Sequence, residues 1–339
     1  MDIYGTTTLN RTVLDLKRSP AFLLGLFFGS IETSDTEDIK FDVETGKPRI
    51  SPFVSPLVEG KVVESLGYTT NSFSPAYVKD KRVHDPNKAF KRAMGETIGG
   101  SQAPINRLQA ALVRDIADQQ AMLTRRKELM AAEVLRTGAI TISGEKYPTV
   151  SVNFGRDAAL TVALTSGSKW GDSGVSPIKD LETWSLLVFD KSGAAPTDCV
   201  MDVAAWQKVR DDATFDKLVD KRRLSDVEQI RYTAMIAAGG VYQGRIGDLK
   251  IWLFNGQYID DAGSSQKFLP TGTVILGSAA IEGVQHHGAI KDIDAGLQPL
   301  ESFTKSWTQQ DPSVRFLLMQ SAPLVVPYRP NASFCATVL

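Results

Sequence analysis

From Glu37 to Arg92 the chain carries a strand-like pattern that is repeatedly broken and has too few apolar residues to bury itself. Ile39, Phe41 and Val43 alternate with Lys40 and Asp42 as in a half-buried strand, and Pro48, Pro52, Pro56, Pro75 and Pro86 punctuate the rest of the stretch. Proline withholds a ladder N–H, so these runs predict edge ribbons and not the middle of a sheet. A ribbon standing off a compact body costs roughly 1–2 kcal/mol of backbone entropy per ordered residue, and some other surface has to offset that cost. A neighbouring subunit is the surface this pattern calls for.

The charges have the same polarity of design. Glu32, Asp35, Glu37, Asp38, Asp42 and Glu44 form an acidic strip relieved by Lys40, whereas Lys79, Lys81, Arg82, Lys88, Lys91 and Arg92 outnumber Asp80 and Asp85. The two flanks could face each other within a hairpin or across subunits, setting register and steering association. They could equally be two solvated faces, because exposed ion pairs contribute little.

At 339 residues the chain has room for two domains with appendages, and 42% hydrophobic with 23% charged residues is ordinary globular composition. The formal net charge of −1 supplies none of the basic footprint of a protein that grips phosphates. Cys199 and Cys335 lie far apart with no CxxC spacing, which predicts buried free thiols. Ala21–Phe28, after Lys17 and Arg18, imitates the basic and apolar regions of a signal peptide, but no small-x-small site comes after it and a bilayer needs about 20 apolar residues. The run is expected to anchor on the body of the protein, and no membrane contact is expected.

Ser101 to Gly138 reads as one long helix, with Pro104 in the first turn, Gly138 just past the end and a span of about 104–136. At ~1.5 Å per residue it reaches on the order of 50 Å. Ile105, Leu108, Leu112, Ile116, Leu123, Met130 and Val134 trace one apolar stripe, interrupted by Gln119, Gln120, Arg126 and Lys127. Either the stripe passes from the chain's own sheet to a subunit seam, or this is a bundle helix with a polar middle. Next, Ala139–Ser143 and Thr149–Phe154 predict a hairpin. From 155 to 311 short strands (Leu186–Phe189, Leu249–Phe254, Val274–Leu276) alternate with helices from Asp202 to about Val219 and from Ser225 to Ala238, as in a mixed α/β domain. Phe316–Met319, Leu324–Val326 and Phe334–Leu339 are expected to return to an earlier sheet and close the body.

Candidate chemistry fails on its partners. Gly171-Asp172-Ser173-Gly174 matches the tetrapeptide around the nucleophile of chymotrypsin-like proteases, yet the histidine upstream, His84, lacks that family's surroundings, and the segment reads as a Gly/Ser turn. Ser166–Lys169 and Ser302–Lys305 have SxxK spacing without supporting motifs. Gly239-Gly240 with Gly244 and Gly247 comes after a helix and before a strand, the reverse of a phosphate loop. His286-His287 with Asp292 and Asp294 puts no three ligands on one helix face. No catalytic residue, cofactor site or metal site is predicted, and a chain of this kind is expected to associate and not to catalyse.

Ribbon, long helix, mixed domain and returning strand occur in the order found in tailed-bacteriophage major capsid proteins. Leu26-Phe27-Phe28, Phe53-Val54-Ser55-Pro56-Leu57-Val58, Phe73-Ser74-Pro75-Ala76-Tyr77-Val78-Lys79, Gly256-Gln257-Tyr258, Phe268-Leu269-Pro270, Leu276-Gly277 and Met319-Gln320-Ser321-Ala322-Pro323-Leu324 are collinear with the lambda-type members, the capsid protein E family, which the chain resembles. The resemblance implies an α+β Hong Kong 97 type capsid fold: an N-terminal arm (1–36), an extended β-ribbon loop (37–86), a peripheral domain (87–156) with a spine helix (104–136), an axial domain (157–312) and a closing strand of the peripheral domain (313–339). It implies hexamers and pentamers of an icosahedral shell around double-stranded DNA, assembled in the bacterial host cytoplasm with separate scaffold, portal and cementing (decoration) proteins. The near-neutral charge then lets packed DNA slide past the wall. Phe27, Phe28, Phe53, Val54, Leu57, Val58, Tyr77, Lys79 and Arg82 are the expected inter-subunit contacts. A tube- or sheath-forming phage protein is the alternative reading.

Overall fold

The computed structural model describes Leu9 and residues 21–36, 38–44, 51, 53–54, 56, 59, 68–73, 75–84, 104–144, 147–212, 215, 219–220, 239–296, 298–311 and 313–339. The side chains of 40–44, 68–71 and 219–220 lie outside that description, as does the helix expected at 225–238.

The long helix α2 runs from Pro104 to Thr137, preceded along the chain by the short α1, Phe22–Phe27. Gly138 ends α2 at φ 72°, a left-handed position that favours glycine, and its N–H bonds to the Val134 carbonyl at 2.8 Å. Two carbonyls of the last turn are taken by Arg156, whose guanidinium donates to Leu135 O at 2.6 Å and to Arg136 O at 2.5 Å. Burial pulls this guanidinium down to about 10.

The apolar stripe of α2 does change environment midway: the chain itself covers it from Leu112 onward and leaves Ile105 exposed. Leu112 and Ile116 pack on Leu317 and Met319 together with Leu9. Met130, Ala131, Val134 and Leu135 enter the main core with Phe22, Phe27 and Phe28 of the N-terminal run, which is therefore the anchor expected from its composition. Half of the polar interruption is buried inside the chain, whereas Arg126 is exposed. Gln119 and Lys127 are buried, with Gln119 Nε2 donating to Asp80 O at 3.0 Å and Lys127 Nζ to Gln285 Oε1 at 2.9 Å.

Strands Val78–His84, Val314–Ser321 and Phe303–Gln309 form an antiparallel sheet with Val314–Ser321 in the middle. Ile39–Glu44 pairs antiparallel with Tyr68–Phe73, Glu44 opposite Tyr68. The expected hairpin after α2 is present as Ala139–Gly144 with Tyr147–Asn153. A seven-stranded mixed sheet holds, in spatial order, Thr161–Ala163, Phe334–Thr337, Thr273–Gly277, Asp198–Met201, Leu249–Phe254, Gly240–Ile246 and Val219–Asp220. Its middle is buried on both faces: Ile275 and Cys335 belong to the core that contains α1, Leu276 and Cys199 to a second core under the helices of the mixed domain. The closing segment is shared among three sheets, since Val314–Ser321 lies in the three-stranded antiparallel sheet, Pro323–Pro327 pairs with Gly283–His287 in a sheet completed by Ser30–Thr33, and Phe334–Thr337 enters the seven-stranded sheet.

Two expectations change. Leu186–Phe189 is no strand but part of helix α3, Pro177–Ser192, which buries Ile178, Leu181, Trp184 and Val188 and leaves Leu186 and Phe189 exposed. A short apolar run is ambiguous, and the helical spacing of the buried set decides it. Helix α4 starts as expected, with Asp202 Oδ1 accepting from Ala205 N at 3.0 Å, but it spans Val203–Arg210 and stops well before Val219. Asp212 is drawn instead to Ser176, whose hydroxyl lies 2.6 Å from Asp212 Oδ2.

Candidate functional site

Strand Val78–His84 sorts its side chains by period two. Asp80, Arg82 and His84 share the face toward α2. Arg82 donates to Asp118 Oδ2 at 2.6 Å and Asp115 Oδ1 at 3.2 Å, and His84 Nε2 lies 3.2 Å from Asp115 Oδ2. Burial pulls the Arg82 guanidinium down, but the Asp118 hydrogen bond and the charges of Asp80, Asp118 and Asp115 outweigh it and leave it above its ordinary value. Lys79, Lys81 and Val83 lie on the other face. There Lys81 Nζ sits 3.7 Å from the Phe316 ring centre and 5.3 Å from that of Trp307, which is itself exposed. The result is a cationic, aromatic outer face on the three-stranded sheet. Period-two alternation of Lys79, Lys81 and Val83 was the available sequence signal for it; the participation of Trp307 and Phe316 needed the register.

The nine expected contact residues divide sharply. Phe53 is 105% exposed and Val54 is 40% exposed, so both present apolar surface to solvent. Lys79 is exposed, with its Nζ 5.3 Å from the Tyr77 ring centre. Tyr77 works inside the chain: its hydroxyl donates to Ala289 O at 2.6 Å and accepts from Lys291 N at 2.8 Å. Arg82 is held by the α2 carboxylates and not by the acidic strip. Phe27 and Phe28 are buried in the chain's own core. Leu57 and Val58 lie outside the described residues.

Beside this strand a groove of about 770 Å³ opens between α2 and the hairpin Gln257–Ile259/Ser265–Lys267, lined by Met122, Leu123 and Leu129 on one wall and Tyr258 and Ile259 on the other. Nothing about it converges on a reacting atom. Ser173 is exposed beside Asp172, whose Oδ2 accepts from the Gly167 and Lys169 N–H groups at 2.8 and 3.1 Å and so closes a turn. Gly239 at φ 96° and Gly247 at φ 59° also serve turns, around the hairpin Gly240–Ile246/Leu249–Phe254. Lys305 Nζ lies 2.6 Å from Asp292 and 3.3 Å from Asp294. His286 meets Tyr328 at 3.0 Å and His287 meets Ser321 at 3.3 Å. Among the described residues no three His, Cys, Asp or Glu side chains gather closely enough to hold a metal, and no helix is long and apolar enough to cross a membrane.

Exposed Phe53 and Val54, an aromatic outer face and a long helix locked to its own sheet give this chain outward apolar surface and no catalytic centre among the described residues. The model of the phage major capsid protein E family matches residues 5–338. The chain belongs to that family. It is 29% identical over 322 residues to the major capsid protein of Escherichia phage lambda, covering 93% of each chain, and 27% identical over 338 residues to that of Escherichia phage N15, covering 98% of each. Among solved structures it is similar to a prophage protein of E. coli CFT073 described as a capsid protein, with TM-score 0.78, 22% identity and 99% of each chain covered. The capsid of Ralstonia phage GP4 shares the fold at TM-score 0.53 and 13% identity, over 95% of this chain and 92% of that one. The fold is thus the α+β fold of phage capsid proteins, and the protein is a major capsid protein, a structural component of the virion; the tube or sheath reading is not favoured.

Proposed function

We propose that the chain builds an icosahedral phage head of the Hong Kong 97 type, joining as hexamers and pentamers around double-stranded DNA. On this reading 1–36 is the arm, 37–86 the extended loop, 87–156 with 313–339 the peripheral domain and 157–312 the axial domain. Assembly takes place in the host cytoplasm with separate scaffold, portal and cementing proteins, and the subunit has no catalytic role. Packing of DNA expands the shell by rotating rigid units and bending the helix and ribbon.

The observation that carries the reading is Phe53, fully exposed in a segment whose flanking strands, Ile39–Glu44 and Tyr68–Phe73, pair with each other. Burying such a side chain against a neighbour is worth roughly 1.5–3 kcal/mol. Replacing 50–68 by a short Gly/Ser linker tests it. Circular dichroism should report a folded chain and sedimentation a capsomer or monomer that closes no shell. Normal shells would remove the ribbon from the assembly mechanism, and an unfolded chain would place it in the monomer's own core.

A further inference from the structure

Helix α1 has the sequence FLLGLF and is gripped at both ends through two consecutive residues of α2. At its N-terminus the Glu128 carboxylate, 4% exposed, accepts from Leu23 N at 2.7 Å and Leu24 N at 3.0 Å. At its C-terminal end Gln285 Nε2 donates to Phe28 O at 2.7 Å, and Gln285 Oε1 accepts from Lys127 Nζ. The signs suit a helix dipole, an acid at the start and a base-held amide at the end. Between the two grips the aromatic rings press onto backbone of the body. Phe22 stacks on Phe254 with ring centres 5.1 Å apart and lies where a side chain on Gly240 would stand, and Phe28 does the same at Gly283.

We propose that α1 is a releasable latch joining the long helix to the seven-stranded sheet, and that the ionisation of Glu128 sets how firmly it holds. Among the described residues, the elements around the carboxylate bring it no compensating charge of their own. Helix α1, Pro323–Pro327, Ala139–Gly144 and Tyr147–Asn153 contain no charged residue. Gly283–His287 brings Gln285 and two imidazoles, His286 turned to Tyr328 and Glu32 and His287 to Ser321. On α2 itself the adjacent cation, Lys127, reaches Gln285.

Burial raises the Glu128 carboxyl to about 7, opposed by the N–H groups of Leu23, Leu24 and Phe22. The docked state therefore holds the proton more tightly than a released, solvated Glu128 does. Docking is firmest below the ordinary glutamate range and loosens as pH rises through about 7. With an ordinary value of 4.5 and about 7 in the docked state, linkage makes opening of α1 about tenfold more frequent at about pH 8.5 than at about pH 6. Release would remove one of the links between α2 and the seven-stranded sheet, Phe334–Thr337 remaining packed on the helix directly; its use in shell expansion rests on the assembly reading above, whereas the latch itself does not.

Amide hydrogen exchange on the full chain tests the latch. After correction for intrinsic rates, protection of the 22–28 amides should fall about tenfold from about pH 6 to about pH 8.5 while Thr273–Gly277 stays constant, and Glu128→Gln should flatten the response. A flat wild-type profile, a parallel change in Thr273–Gly277, or a response surviving in Glu128→Gln would overturn it. Should Glu128→Gln not fold, the wild-type comparison of the two segments decides. A chain that shows this profile but closes no shell would sink the assembly reading and leave the latch standing.

Discussion

Gln119 Nε2 donates to the Asp80 carbonyl at 3.0 Å, and so the polar middle of the long helix is where that helix is pinned to its sheet. Gln119 is 1% exposed. In the sequence it interrupts the apolar stripe; in the fold it is a fastener.

Gln119→Ala should therefore destabilise the protein by about 1–3 kcal/mol, because it leaves the Asp80 carbonyl without its donor. Denaturant melts of the variant and the wild type measure this, and an unchanged midpoint would show that water replaces the amide without cost.

A break in the middle of α2 should cost more. Ala117→Pro removes an intrahelical bond and drives its ring into the preceding turn, at about 3 kcal/mol or more. Soluble, fully assembled shells from this variant would contradict a continuous helix from Pro104 to Thr137.

Gly240 has room for no side chain under Phe22. Gly240→Ala should lower stability by about 1–3 kcal/mol through overpacking, and Phe22→Leu in the same chain should recover part of that loss. Additive losses in the double variant would mean that the two positions do not touch.

Neither cysteine should react in the native state. Burial pushes Cys335 up to about 11, against the opposing pull of Arg156 and Arg136, and raises Cys199 further. The thiolate is the reactive form, so at about pH 8 both thiols stay protonated and enclosed. Titration with a thiol reagent should find none in the folded chain and two after unfolding without reductant. Fewer than two after unfolding would indicate a bridge.

Local signals carried well where they were strong. Pro104 and Gly138 bracketed the long helix, and Asp202 marked the start of α4, because caps and helix breakers act through neighbouring backbone. Leu186–Phe189 misled because four apolar residues in a row do not reveal their period; only burial of Leu181, Trp184 and Val188 on one side exposes the helix. Of the expected contact surface, Phe53 and Val54 were legible as outward because their stretch has too few apolar residues to bury itself, and Lys79 because it alternates at period two with Asp80 and Arg82. Phe27, Phe28, Tyr77 and Arg82 could not be placed, since their partners lie at Gly277 and Gly283, Ala289, and Asp115 and Asp118. Those are tertiary neighbours, and a charge strip does not say which acid a given arginine will meet.

Whether this subunit closes a shell is read by electron microscopy of particles isolated from cells producing the full chain together with its phage's scaffold protein. Closed polyhedral shells are the predicted result. Cylinders, or soluble subunits with no closed particle, would contradict it.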